Sequence, residues 1–188
     1  MNGTAITELL GRVLLGAALL LPAAPAAVAQ EPAPDPLAHN KLFVETFVNR
    51  CLSAVHADAA YDTAGMNQVH EFLAGHWLNG KPGSVWTPNP AMHILLIIRD
   101  GAGCFVVSEF GDAKALEPVV AARIAEAHPT LVREEFERAD DGGFGSKYLD
   151  AGCGGNQSCR VVVNARATPE EGKLAMLAAA MRFTPPSQ

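Results

Sequence analysis

The stretch Ile94-Leu95-Leu96-Ile97-Ile98-Arg99-Asp100-Gly101-Ala102-Gly103-Cys104-Phe105-Val106-Val107-Ser108 decides the fold. Two apolar runs, rich in β-branched residues, flank Asp100-Gly101, a dipeptide suited to tight turns, so the segment predicts a β-hairpin. The first run has no polar position. A strand of that kind is covered on both faces and sits inside a sheet rather than at its edge.

Upstream of the hairpin, Leu42, Phe43, Phe47, Val48, Cys51, Leu52 and Val55 recur at helical spacing, which predicts an amphipathic helix over 38–56. The small and polar residues from Asp58 to Gly65 break it. Met66, Val69, Phe72 and Leu73 suggest a second, shorter helix over 66–76. Lys81-Pro82-Gly83 is a turn signal, and Val85-Trp86 reads as a short strand. Downstream, Asp112 is placed to cap a helix whose core stripe is Leu116, Val119, Val120 and Ile124. Pro118 lies inside that stripe, so the regular part of the helix is expected to begin near it. Pro129 closes the helix. Residues 130–138 alternate imperfectly and read as a half-exposed strand. Asp140-Asp141-Gly142-Gly143 is a turn, Tyr148-Leu149 opens a strand, and Arg160-Val161-Val162-Val163 is another. Thr168-Pro169-Glu170-Glu171 has the form of a helix start, with Leu174, Leu177, Ala178 and Met181 as the core face of a last helix. The short turns between strands favour antiparallel pairing. The expected fold is α+β: a mainly antiparallel sheet with helices packed on it.

The first 29 residues have the organisation of a cleavable secretory signal. An apolar run, Val13 to Leu21, follows a single base, Arg12, and Ala27-Val28-Ala29 is an A-x-A cleavage site. The run is too short to span a bilayer, so no membrane span is expected after cleavage. Residues 30–37, rich in Pro and Ala, are expected to be a disordered lead-in, and 38–184 a single α+β domain. The location implied is periplasmic or secreted.

Four cysteines in an exported chain point to two disulfides, with three possible connectivities. Cys153 and Cys159 flank a flexible polar loop between two predicted strands, where a bridge would close a hairpin. That pairing leaves Cys51, on the first helix, with Cys104, at the start of a strand, and both lie on expected core faces. A four-thiolate zinc site would need close C-x-x-C pairs, and none is present.

The chain carries a formal net charge of −6 with no basic run, which sets it against a phosphate backbone, so no nucleic acid is expected as a partner. No catalytic motif is present, and no cofactor or metal is expected. His70, Glu71 and His76 come nearest to a metal or hydrolase motif, but the six-residue spacing of the histidines departs from H-E-x-x-H. Ser53, His56 and Asp58 lie close along the first helix, as many such trios do. There is no G-x-S-x-G elbow, and Gly142-Gly143-Phe144-Gly145 lacks the Lys-Ser/Thr of a phosphate loop. The region from Phe72 to Pro90 is the best candidate surface: Trp77 and Trp86 lie there among glycines and prolines and are the expected binding residues.

The helix-borne Cys51, the segment Gly83-Ser84-Val85-Trp86 and the strand entered through Gly101-Ala102-Gly103-Cys104 resemble a family of uncharacterised small secreted or periplasmic proteins of Gram-negative bacteria. The resemblance implies a compartment and carries over no catalytic residues. The function expected is an exported soluble module that binds a small ligand or an envelope protein. The alternatives are a structural accessory of the envelope, or a hydrolase using His70, Glu71 and His76.

Overall fold

A computed structural model describes residues 35–88, 93–153, 157–168 and 172–184. The expected signal segment, most of the lead-in and the residues Pro169-Glu170-Glu171 lie outside the described residues.

The first helical stretch runs without a break through α1 (Pro36–Glu45), a π-helical segment (Thr46–Leu52) and α2 (Ser53–Ala57). Its apolar rows explain the widened middle. Phe43, Phe47, Cys51 and Val55 recur every four residues, as do Val44, Val48 and Leu52, and all are buried. A row with that period drifts around a 3.6-residue helix, and the looser π turn keeps it facing the sheet. Ser53 Oγ donates to the Val48 carbonyl five residues back at 2.8 Å, and Thr46 Oγ1 to the Leu42 carbonyl at 2.8 Å. Asp58, in the left-handed region, ends α2.

The strands are β1 (Asn67–Gln68), β2 (Gly83–Thr87), β3 (Ile94–Arg99), β4 (Gly103–Ser108), β5 (Val132–Arg138), β6 (Phe144–Asp150), β7 (Ser158–Ala165) and β8 (Met176–Phe183). They form one antiparallel sheet in the order β1-β2-β3-β4-β8-β7-β6-β5. The β3–β4 hairpin forms as the Asp-Gly turn predicts, and Ile94 to Ile98 are buried on both faces. Gly103 has φ +100° and lies where a Cβ would stand 2.2 Å from the Ala180 carbonyl oxygen, so β4 reaches β8 only through glycine.

Three expectations need correction. Residues 66–76 are not one helix: β1 pairs with β2 at the sheet edge, and α3 (Glu71–Leu78) begins only after His70 caps it, its Nδ1 accepting from the Phe72 N–H at 3.3 Å. The helix after Asp112, α4 (Ala113–Ala127), is regular from Ala113 and carries Pro118 inside it. Asp112 fixes that first turn by accepting from Lys114 and Ala115 N–H, while Asn40 donates to its carbonyl and accepts from its N–H. The last element is not a helix. Leu174 to Met181 leads into β8, a central strand flanked by β4 and β7. Its alanine-rich sequence favours a helix locally, but ladder bonds on both sides, with Met176, Ala178 and Ala180 buried towards the helices, outweigh that preference. Two strands also differ in detail: β6 starts at Phe144, ahead of Tyr148, and β5 is exposed throughout as an edge, with a bulge between Arg133 and Glu135.

The larger core lies between the helical layer and one sheet face, around Phe43, Phe47, Leu52, Leu96, Leu116 and Ile124. Both disulfides join the expected partners: Cys51 to Cys104, with Cα atoms 5.6 Å apart, and Cys153 to Cys159, with Cα atoms 5.4 Å apart. Such bridges are compatible with an oxidising compartment. A smaller cluster on the opposite face, Val69, Ala74, Val85, Leu95, Ile97 and Val107, lies beneath α3. No helix among the described residues is long and apolar enough to cross a membrane.

Candidate functional site

Side chains alternate between sheet faces along β2, and that separates the two tryptophans. Val85 belongs to the cluster under α3, whereas Trp86 packs against the main core and donates from Nε1 to Ser84 Oγ at 2.8 Å. Trp77 sits on α3, over the opposite face. The two expected binding residues therefore do not share a surface, and it is Trp77 that lines a cavity.

That cavity, about 460 Å³, lies between α3 and the β3–β4 hairpin. Its walls are mainly apolar: Phe72, Leu73 and Trp77 from α3, Leu95 from β3, Val107 from β4, and Leu174 from the segment before β8. His76, His93 and Glu109 supply the polar rim. The volume is that of a small-molecule site. Phe72 is 86% exposed and Leu73 47%, so one turn of α3 presents its largest apolar side chains to solvent at the cavity mouth. Phe110, 38% exposed, meets the His93 ring edge-on at 4.8 Å between centroids. The far end of α3 is fastened by Arg99, which donates from Nη2 to the Trp77 carbonyl at 2.9 Å and lies 5.1 Å over the Phe105 ring.

The hydrolase trio does not assemble here. His76 lines this cavity, Glu71 lines a separate groove on the other side of α3, and the His70 ring is used as the helix cap. Among the described residues no group of three His, Cys, Asp or Glu side chains is arranged to hold a metal ion.

A second polar cluster joins residues that the sequence does not connect. Ser53 meets His128 rather than His56, with Oγ and Nε2 3.2 Å apart, and Asp58 pairs with Arg182. His56 Nε2 lies 3.0 Å from Asp150 Oδ2, which also accepts from Thr130 Oγ1 at 2.5 Å, and Asp150 Oδ1 accepts from the Gly152 N–H at 2.8 Å. The Thr130 hydroxyl, the Gly152 N–H and His56 hold the Asp150 carboxyl below its usual range. The His56 and His128 rings are 4.7 Å apart, and burial, followed by the neighbouring His56, holds His128 below the ordinary imidazole value. This is not a nucleophilic triad. The single hydroxyl proton of Ser53 goes to the Val48 carbonyl, so His128 must donate to Oγ and is not placed to accept its proton. The cluster instead ties α2, the α4–β5 turn and the end of β6 together.

His39 and Ser108 make a comparable contact, Nε2 to Oγ at 2.7 Å, but both are buried and the pair fastens α1 to β4. Burial, and then His93, lower the pKa of His39.

Neither Ser53–His128 nor the α3 cavity is legible from spacing: the pair joins residues 75 positions apart, and the cavity assembles residues from four elements or their flanks. The one local signal is the pair of adjacent apolar residues Phe72-Leu73 at the start of a short helix. Comparison of the chain with protein-family models, with curated proteins and with solved structures finds no match.

Proposed function

We propose that this chain is an exported binding module that takes a small, predominantly apolar ligand in the α3 cavity. The observation that carries the reading is the cavity of about 460 Å³ with a nearly fully exposed Phe72 at its mouth and Trp77 in its wall. An aromatic side chain left in water beside an apolar cavity marks a surface that another molecule covers. The two disulfides, the signal-like leader and the resemblance to small secreted or periplasmic proteins support export as its setting.

The test uses Trp77 as reporter. In a Trp86→Phe protein, titration with the neutral apolar probe N-phenyl-1-naphthylamine should shift Trp77 emission saturably, with a Kd in the micromolar range. Phe72→Ala should weaken that binding about tenfold, the loss expected for one buried aromatic contact. A linear, unsaturable response, or equal affinity in the Phe72 variant, would remove the cavity from consideration and favour the envelope-accessory reading.

A further inference from the structure

One rung of the sheet runs beneath two cavities. Leu95 on β3 faces Val107 on β4, Val107 faces Leu177 on β8, Leu177 faces Asn164 on β7, Asn164 faces Gly145 on β6, and Gly145 faces Glu137 on β5. Directly opposed residues point to the same face, so these six positions form one floor. Leu95 and Val107 floor the apolar α3 cavity. Leu177, Asn164, Gly145 and Glu137 floor a second, larger cavity of about 640 Å³. Leu174 lines both and stands between them.

The second cavity is different in charge. Arg138, Arg166 and Lys173 line it, against one acid, Glu137. Arg138 shares the Glu117 carboxylate at 3.4 Å. Arg166 and Lys173 form no ion pair among the described residues, and both are exposed. In a chain of net charge −6, two unpaired cations at one concavity are not what composition alone would place there. Backbone bonds anchor Arg166 and the end of the segment that carries Lys173: the Arg166 N–H donates to the Ala175 carbonyl and the Ala175 N–H to the Ser108 carbonyl, both at 2.8 Å. The segment bearing Leu174 is thus clamped between a basic cavity and an apolar one. From Val107 to Asn164 is two strand spacings, about 10 Å, a distance that a short stretch of alkyl chain covers.

Building on the reading of the α3 cavity as a ligand site, we propose that the ligand is an amphiphile with an anionic head: its alkyl part lies between α3 and the β3–β4 hairpin, and its carboxylate or phosphate reaches past Leu174 to Arg166 and Lys173. The head groups differ in source but share this chemistry, a compact anion at the end of an alkyl chain. The apolar cavity supplies uniform affinity and the basic one discriminates by charge.

The experiment compares dodecanoate, dodecyl phosphate, dodecanol and dodecyltrimethylammonium, each below its micelle concentration, by Trp77 emission in the Trp86→Phe protein and by calorimetry. Dodecanoate or dodecyl phosphate should bind about tenfold more tightly than dodecanol, with the cation weakest, and the ratio should shrink as salt is raised. The preferred anion of the two identifies the head. Arg166→Gln combined with Lys173→Gln should abolish the preference and leave dodecanol affinity unchanged. Equal binding of dodecanol and both anions by the unaltered protein would overturn the head-group assignment while the apolar site stands. Failure of all four probes to bind would overturn both.

Discussion

Cys51 in the π-helical segment and Cys104 at the start of β4 are covalently joined across the main core, both wholly buried, 53 residues apart in sequence. Their bridge closes a long loop, whereas Cys153–Cys159 closes one of six residues' separation. Chain entropy therefore assigns the long bridge about 4 kcal/mol of stability and the short one about 2 kcal/mol. Urea unfolding of the Cys51→Ala/Cys104→Ala and Cys153→Ala/Cys159→Ala proteins should show the first losing clearly more. Equal losses would mean that loop length does not set the contribution of the two bridges.

Acidification should destabilise the fold well before its carboxylates titrate. His39 and His128 both have folded pKa values lowered from 6.5, chiefly by burial. Below that value the unfolded chain binds protons that the folded chain refuses, so the stability these residues support is present above pH 6.5 and is lost as pH falls towards their folded values. Asp150, held below its usual value by Thr130, Gly152 and His56, stays ionised through this window. Thermal melts between pH 7.5 and 5 should show Tm falling with pH. His128→Gln, which keeps a donor for Ser53, should flatten that slope. A Tm independent of pH over this range would contradict the burial of both rings.

Tyr148 carries a buried hydroxyl with no hydrogen-bond partner among the described residues, its ring lying beneath Arg133. An unmade buried hydrogen bond costs about 1–3 kcal/mol. Tyr148→Phe should hold or raise the unfolding free energy, by up to about 1 kcal/mol, with the Arg133 contact intact. A clear loss would reveal a partner for the hydroxyl.

Pro118 lies exposed inside α4, where it removes the N–H that would bond back to Lys114. Pro118→Ala restores that bond and the helix preference, while giving the unfolded chain more freedom, so the net gain should be about 1–2 kcal/mol. A fall in Tm would show that the proline's restriction of the unfolded chain outweighs the missing helix bond.

How far the fold could be read follows from where its information sits. Ile94 to Ser108 is legible because turn chemistry and burial agree within fifteen neighbouring residues. Cys51 and Cys104 are legible because loop closure leaves them as the remaining pair. Met176 to Phe183 is not, because alanine-rich helix preference is local and the ladders that defeat it come from β4 and β7, far away in sequence. Trp77 and Trp86 look like one surface because they are nine positions apart, and the alternation of β2 places them on opposite faces. Leu95, Val107, Leu177 and Asn164 lie on four strands, and only their register makes them neighbours.

The place of β8 in the sheet sets the timing of folding. The strands made first, β1 to β4, and those made next, β5 to β7, form two separate meanders, and among the described residues β8 is the strand that touches both. Until Phe183 has emerged from the ribosome, β4 and β7 each keep an open edge and the helical layer has only part of its platform. The nascent chain therefore has no finished tertiary structure to lose, and a break ahead of Met176 would leave two half-sheets with exposed edges, prone to pair with the wrong neighbour.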